Sequence, residues 1–252
     1  MNQTSKIKFL DRIRHALGRE SDSNVEAINQ EFFMNPEPAY RDALSDSNEN
    51  AKALIDEFKE NAESQGWNTS KVPDLSGAKE VLISILNGIE CKSIVCTNEQ
   101  AVNLMDLDKI LSNQEIKICK LMSNDNRNTN AIESEQYFRS VAEVADVGIT
   151  GCDFAVAETG TIVVIPKSGV SRLVSLTPPV YIAIVWQGQV LRSLDELFAV
   201  RRYQTINGLE NGYMNLISGP SKSGDIENIM IQGVHGPGEV HLILIDDKMS
   251  PE

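Results

Sequence analysis

The sequence predicts an α/β protein, a three-layer fold on an open, mostly parallel sheet with a helical N-terminal extension. Three observations lead there. Apolar residues recur at helical spacing near the N-terminus, strand-like and helix-like segments alternate between 74 and 145, and the texture turns β-rich from 147 onward.

In chain order, Ile7, Leu10, Ile13 and Leu17 share one helical face, and Gly18 stands where a C-terminal cap falls, so 5–17 reads as an amphipathic helix. Such a helix packs locally or acts as a docking arm. The tract 19–48 is polar and carries Pro36 and Pro38, which predicts a linker or extended arm rather than core. Helical order returns at Ala51, Leu54, Ile55 and Phe58, and the main domain is expected over 71–252, with 1–70 as extension and linker. Ser76 is a candidate N-cap for a helix whose face is Ala78, Val81, Leu82, Ile85, Leu86 and Ile89. Lys92 to Cys96 and Glu115 to Cys119 read as strands, and Phe138, Val141, Ala142 and Ala145 mark the buried side of a further helix. Strands then follow as FAVA at 154–157, TIVVI at 161–165, VYIAIVW at 180–186 and EVHLILI at 239–245. Between the last two, Ser193 and Glu196 have capping-box spacing ahead of Leu194, Leu197 and Phe198.

Composition narrows the function. With 252 residues and 41% hydrophobic content the chain can bury a substantial core. Its net charge of −13, without a Lys/Arg cluster, argues against nucleic acid as a partner, because phosphate backbones need a basic face. No apolar run reaches the roughly 20 residues of a membrane span, and the first residues lack a secretory apolar core, so a cytoplasmic location is expected. Cys91, Cys96, Cys119 and Cys152 form no C-x-x-C pair and read as structural thiols. With three histidines in the chain, a histidine-based zinc site would have to recruit Asp, Glu or Cys, and no metal site is expected.

The candidate chemistry sits in three places. In ITGCDFAVAETGTIVVI, Glu158 opens an E-T-G-T turn between two strands, where a carboxylate serves as nucleophile, general base or clamp, or else satisfies turn N–H groups. Thr159, Gly160 and Thr161 add hydroxyl and backbone donors beside it. Next, Lys167 and Arg172 supply positive charge in one loop, and Arg172 has the better claim to an anion because Leu173 and Val174 tie it to ordered structure. Last come two glycine-rich turns, ISGPSKSGDIE at 217–227 and GVHGPGEVHLILID at 233–246. Ser218, Gly219, Ser221, Lys222, Asp225 and Gly236 are candidate ligand contacts there, and Ser223 could cap a short helix carrying Asp225 and Glu227. His235, between Gly233 and Gly236, is the candidate for proton transfer or ligand hydrogen bonding, whereas His241 reads as a strand residue. Neither a Walker loop nor a G-x-G-x-x-G dinucleotide fingerprint is present.

GITGCDFAVAETGT, then the R-L-V-S-L-T-P-P segment from Arg172, then ISGPSKSGDIE and GVHGPGEVHLILID stand in an order that resembles the LUD-domain family. Within it they are most similar to the lactate utilisation protein C (LutC or YkgG) subgroup. The resemblance covers about 75–247. It implies a fold similar to the NagB/RpiA/CoA-transferase superfamily, with a ligand cleft at strand ends. It also implies a part in oxidising L-lactate to pyruvate beside LutA-like and LutB-like iron–sulfur proteins, the clusters residing on those partners and no cofactor on this chain. The missing C-x-x-C-x-x-C series fits that division. A small anionic metabolite is the expected ligand, near Glu158, Arg172, Ser221, Lys222 and His235, and a homo-oligomer is compatible with the chain. A free-standing enzyme on an acyl or phosphorylated metabolite using Glu158, and a non-catalytic binding module, are the alternatives. One departure concerns ligand specificity: Tyr181 follows Pro178-Pro179-Val180 where the resemblance leads one to expect a histidine after the proline pair.

Overall fold

A computed structural model of the chain describes Arg12 and residues 35–121, 131–208, 213–224 and 230–247. The predicted helix at 5–17 and the candidate contact Asp225 lie outside this set. Ala39–Glu252 forms one compact unit.

Helices α1 (Glu37–Glu49) and α2 (Ala51–Gln65) lead into β1 (Asn68–Val72) and α3 (Leu75–Gly88). Then come β2 (Ser93–Cys96), α4 (Gln100–Met105), α5 (Leu107–Ile110), β3 (Lys117–Lys120), α6 (Ala131–Ala142) and β4 (Val147–Thr150). An excursion follows through β5 (Phe154–Val156), a 3-10 turn (Ala157–Thr159), β6 (Thr161–Val164) and α7 (Leu173–Leu176). The chain continues with β7 (Val180–Trp186), β8 (Val190–Leu191), α8 (Leu194–Ile206), β9 (Asn215–Ile217), β10 (Lys222–Gly224), β11 (Met230–Gln232) and β12 (Glu239–Ile245).

The central sheet has six parallel strands in the order β1-β12-β7-β4-β2-β3. Its middle strands are apolar on both faces because both are covered. Ile182, Ile184, Ile243 and Ile245 pack with Leu82 and Leu86 of α3 and Val102 of α4 on one side. Ala183, Val185, Leu242 and Leu244 on the other meet Leu54, Ile55 and Phe58 of α2 together with Ile162 and Val164 of the second sheet. That second sheet runs β8-β5-β6-β9, and its outer face packs on Leu197 and Val200 of α8 and Ala43 of α1. The predicted α/β class with a mostly parallel sheet is therefore the observed one, with an added β layer.

Four local expectations change. The tract expected as a linker over 19–48 contains α1, whose Ala43 and Ser47 are buried; Ser47 Oγ donates to the Val190 carbonyl at 2.7 Å, and Tyr40 stacks on Tyr203 with centroids 4.0 Å apart. The two prolines sit where a helix accepts them, at its entrance and in its first turn. The domain also starts earlier than residue 71, since α2 and Trp67 are inside the core. Asp74, not Ser76, caps α3, accepting from the Gly77 N–H at 2.9 Å. Ser223 lies in β10, paired with Ile231 of β11, rather than capping a helix. At Ser193 the cap is as predicted on one side, its hydroxyl accepting from the Glu196 N–H, while Glu196 reaches the Arg192 N–H instead of that of Ser193.

Candidate functional site

All six central strands are parallel, so the sheet has two chemically different edges. At the C-terminal edge, β2 runs on toward β3 while its neighbour β4 runs on toward β7 on the opposite side. Adjacent strands whose connections diverge open a crevice at that edge, where ligands of open α/β sheets bind. Thr97, Asn98 and Glu99 follow β2 there, and Gly151, Cys152 and Asp153 follow β4.

Glu99 bridges the two strand ends. One carboxylate oxygen accepts from Thr97 Oγ1 and from the Gly151 N–H, each at 2.6 Å. Burial pushes this carboxyl above its ordinary value, against those two hydrogen bonds, which favour the charged form. Asp153 is anchored differently, accepting from the Ile165 N–H and pairing with Lys167, both at 2.7 Å. The loop from Pro166 to Arg172 is closed by a Lys167–Val170 bridge and tied to the strand end by the Asn98 N–H, which donates to the Gly169 carbonyl at 2.7 Å.

This loop, the end of β3, α6 and Tyr213 enclose a pocket of about 510 Å³. Lys120, Lys167 and Arg172 line it. Arg172 Nη1 donates to the Tyr213 hydroxyl at 3.1 Å, and the guanidinium carbon lies 5.9 Å from that ring's centroid. Tyr213 in turn donates to Asn215 Oδ1 at 2.8 Å, which orients the phenol that orients the arginine. Lys120 Nζ donates to Asn103 Oδ1 at 2.9 Å. Lys120, Lys167 and Arg172 bring positive charge to one pocket in a chain of net charge −13, Lys167 sharing its charge with Asp153, and the arrangement suits an anion.

The remaining predicted residues gather at the other edge. Gly238 and Glu239 donate to the Pro179 carbonyl at the start of β7 and β12, so the second glycine-rich turn caps the N-terminal edge of the sheet. Ser221 joins it: its N–H donates to Pro237, its carbonyl accepts from Gly233, and its hydroxyl accepts from the His235 N–H at 3.3 Å. His235 itself is exposed, and a Cβ on Gly236 would lie 3.4 Å from that of Ser221. Lys222 Nζ donates to the Gln65 carbonyl at the end of α2, and Gly219 passes the same carbonyl. Thr159, Thr161 and Ser218 form a hydroxyl chain at 2.8 and 2.7 Å. Gly160 presses on α2, where a Cβ would fall 2.4 Å from the Ala62 nitrogen at a φ of +61°.

Glu158 is exposed and turned away from this group. Its carboxylate accepts from the Leu194 N–H at 3.2 Å, in the first turn of α8, and its own N–H donates to Arg192. That is the turn-satisfying role among those the sequence leaves open. Arg172 is apart from the N-terminal edge, α7 lying between it and Gly236. Tyr181 is fully buried in β7, its hydroxyl 2.6 Å from Thr150 Oγ1, so its ring faces the core.

Sequence reading missed Glu99, Lys120, Tyr137 and Tyr213. A signal existed for the first, a carboxylate three residues beyond a buried strand. The tyrosines carry none, because α6 and β9 meet the 166–173 loop only through the fold. The cysteines are free, and burial pushes Cys91 up to about 11 and Cys96 up to about 12, leaving protonated thiols at neutral pH. Among the described residues no group of three His, Cys, Asp or Glu side chains could hold a metal ion, and no helix is long and apolar enough to cross a membrane.

Comparison with known proteins agrees with this architecture. A family model described as the LUD domain matches residues 55–245. "Lactate utilization protein C" of Shouchella clausii is 30% identical over 97% of this chain and 99% of its own length. The Bacillus subtilis protein of the same name is 39% identical over a shorter stretch, 42% of this chain and 45% of that one. Among solved structures, a DUF162 family protein from Deinococcus radiodurans shares the fold with a TM-score of 0.53 at 17% identity, covering 78% of this chain and 98% of that one. The order of motifs, the sheet they build and an alignment along nearly the whole chain agree that this protein belongs to the LUD-domain family, in its lactate utilization protein C group.

Proposed function

We propose that the chain serves lactate utilisation as a cytoplasmic anion-binding component with no cluster of its own, working beside two iron–sulfur proteins of the LutA and LutB kind. The observation that carries this reading is the convergence of Lys120, Lys167 and Arg172 on one pocket at the C-terminal edge of the sheet. The relatives' names supply the pathway, and the pocket supplies a place for a carboxylate or similar anion. Iron–sulfur centres need closely spaced thiolates, whereas these cysteines are spread along the chain and three of them are buried. An enzyme acting through Glu158 would first have to release that carboxylate from the α8 cap, so the geometry favours binding over covalent chemistry there.

The test is genetic and biochemical together. A strain lacking the gene is expected to fail on L-lactate as sole carbon source, and to be restored by the wild-type chain but not by Arg172→Ala. Tagged protein from lactate-grown cells is expected to retain two iron–sulfur proteins. Normal growth of the deletion strain, or full rescue by Arg172→Ala at equal expression, would sink the reading.

A further inference from the structure

Deepening the anion-pocket reading, on which the inference rests, we propose that the ligand carries a planar aromatic ring beside its anionic group, and that its class is a nucleoside 5′-phosphate. A three-carbon acid is too small for the space. The pocket of about 510 Å³ has the size of those that enclose drug-sized molecules, commonly about 300–1,000 Å³.

Its walls have the matching chemistry. Tyr137 and Phe138 come from α6 and Tyr213 from the segment before β9, so aromatic faces arrive from two separate elements. Tyr137 is 66% exposed and Tyr213 is 51% exposed, and both line the pocket. Large exposed aromatics at a concave site mark a surface that a ligand covers. An aromatic base stacks on such faces whatever its identity. Lys120, Lys167 and Arg172 stand at the same pocket for the phosphate, and Arg172 adds a planar fork suited to its oxygens. L-lactate reaches the cations and leaves the exposed Tyr137 ring uncovered, whereas a nucleoside phosphate covers both.

Isothermal titration of the full chain with AMP, adenosine, inorganic phosphate and L-lactate tests this. AMP is expected to bind about tenfold or more tightly than phosphate or L-lactate, the contribution of one stacked base. Tyr137→Ala is expected to remove most of that advantage while leaving phosphate affinity within about twofold. Phosphate or L-lactate binding as tightly as AMP through Arg172, or a Tyr137→Ala variant that binds AMP unchanged, overturns the proposal and leaves the anion pocket standing. Adenosine binding as tightly as AMP, or no probe losing affinity in Arg172→Ala, overturns both. Circular dichroism of each variant separates misfolding from lost contacts, and Tyr137→Phe, which keeps the ring, is expected to bind AMP as the wild type does.

Discussion

The two edges of the central sheet divide the motifs between them. At the N-terminal edge, Thr159, Thr161, Ser218, Ser221 and Lys222 spend their polar atoms on one another or on backbone carbonyls. Groups engaged in that way hold loops together and have little left for a ligand. At the C-terminal edge the polar groups are partnered too, Lys167 with Asp153, Arg172 with Tyr213 and Lys120 with Asn103, but these three are cations and all three line one pocket. The edges therefore differ in charge and concavity rather than in how far their polar groups are satisfied. Glycine-rich turns look alike in a sequence whether they cradle a ligand or cap a sheet, and here the partners of their backbone groups distinguish the two.

Three substitutions sharpen or break this contrast. Gly148→Ala has the largest expected effect, because its Cβ would lie 1.8 Å from the Val174 carbonyl oxygen and 3.2 Å from Pro178, forcing α7 off β4. Overpacking against backbone predicts a loss of about 3 kcal/mol in a urea melt, with anion affinity falling too as Arg172 moves with α7. A melt unchanged from wild type would show that α7 is loosely held. Next, Lys222→Met removes one exposed hydrogen bond to Gln65, costing at most about 1 kcal/mol. Lys222→Met and His235→Ala are expected to leave anion affinity unchanged; if either matches Arg172→Ala in lost affinity, the roles of the two edges are reversed.

The smallest effect is a pH slope. Because the Glu99 carboxyl titrates above its unfolded value, the folded state binds the extra proton. The contribution of Glu99 to stability is therefore greatest below the unfolded value and is lost as pH rises through the raised folded value. Glu99→Gln keeps the oxygen that accepts from Thr97 and Gly151 and is expected to flatten that decline. Thermal melts across the acid-to-neutral range read it, and an unaltered slope would place the titration elsewhere.

Legibility followed the range of the interactions. Strands such as VYIAIVW and EVHLILI were readable because burial on both faces demands continuous apolar residues. Helix α1 resembles a linker in sequence because of its polar surface and two prolines, and its burial depends on Ala43 and Ser47 meeting β8 and α8 far along the chain. Arg172 stands out in the sequence through the apolar residues that follow it, but Tyr213, its partner, lies 41 positions away. Glu158 was readable as a turn carboxylate, while the α8 N–H that occupies it is not written near it.

The sequence by itself determined the α/β class, the run of strands and helices, the acidic surface and the family, since periodicity, composition and motif order are properties of neighbouring residues. Only the tertiary structure decided which edge each motif occupies and which side chains meet. The strand order β1-β12-β7-β4-β2-β3 joins segments from opposite ends of the chain, and that order is chosen by burial of whole faces rather than by any local pattern.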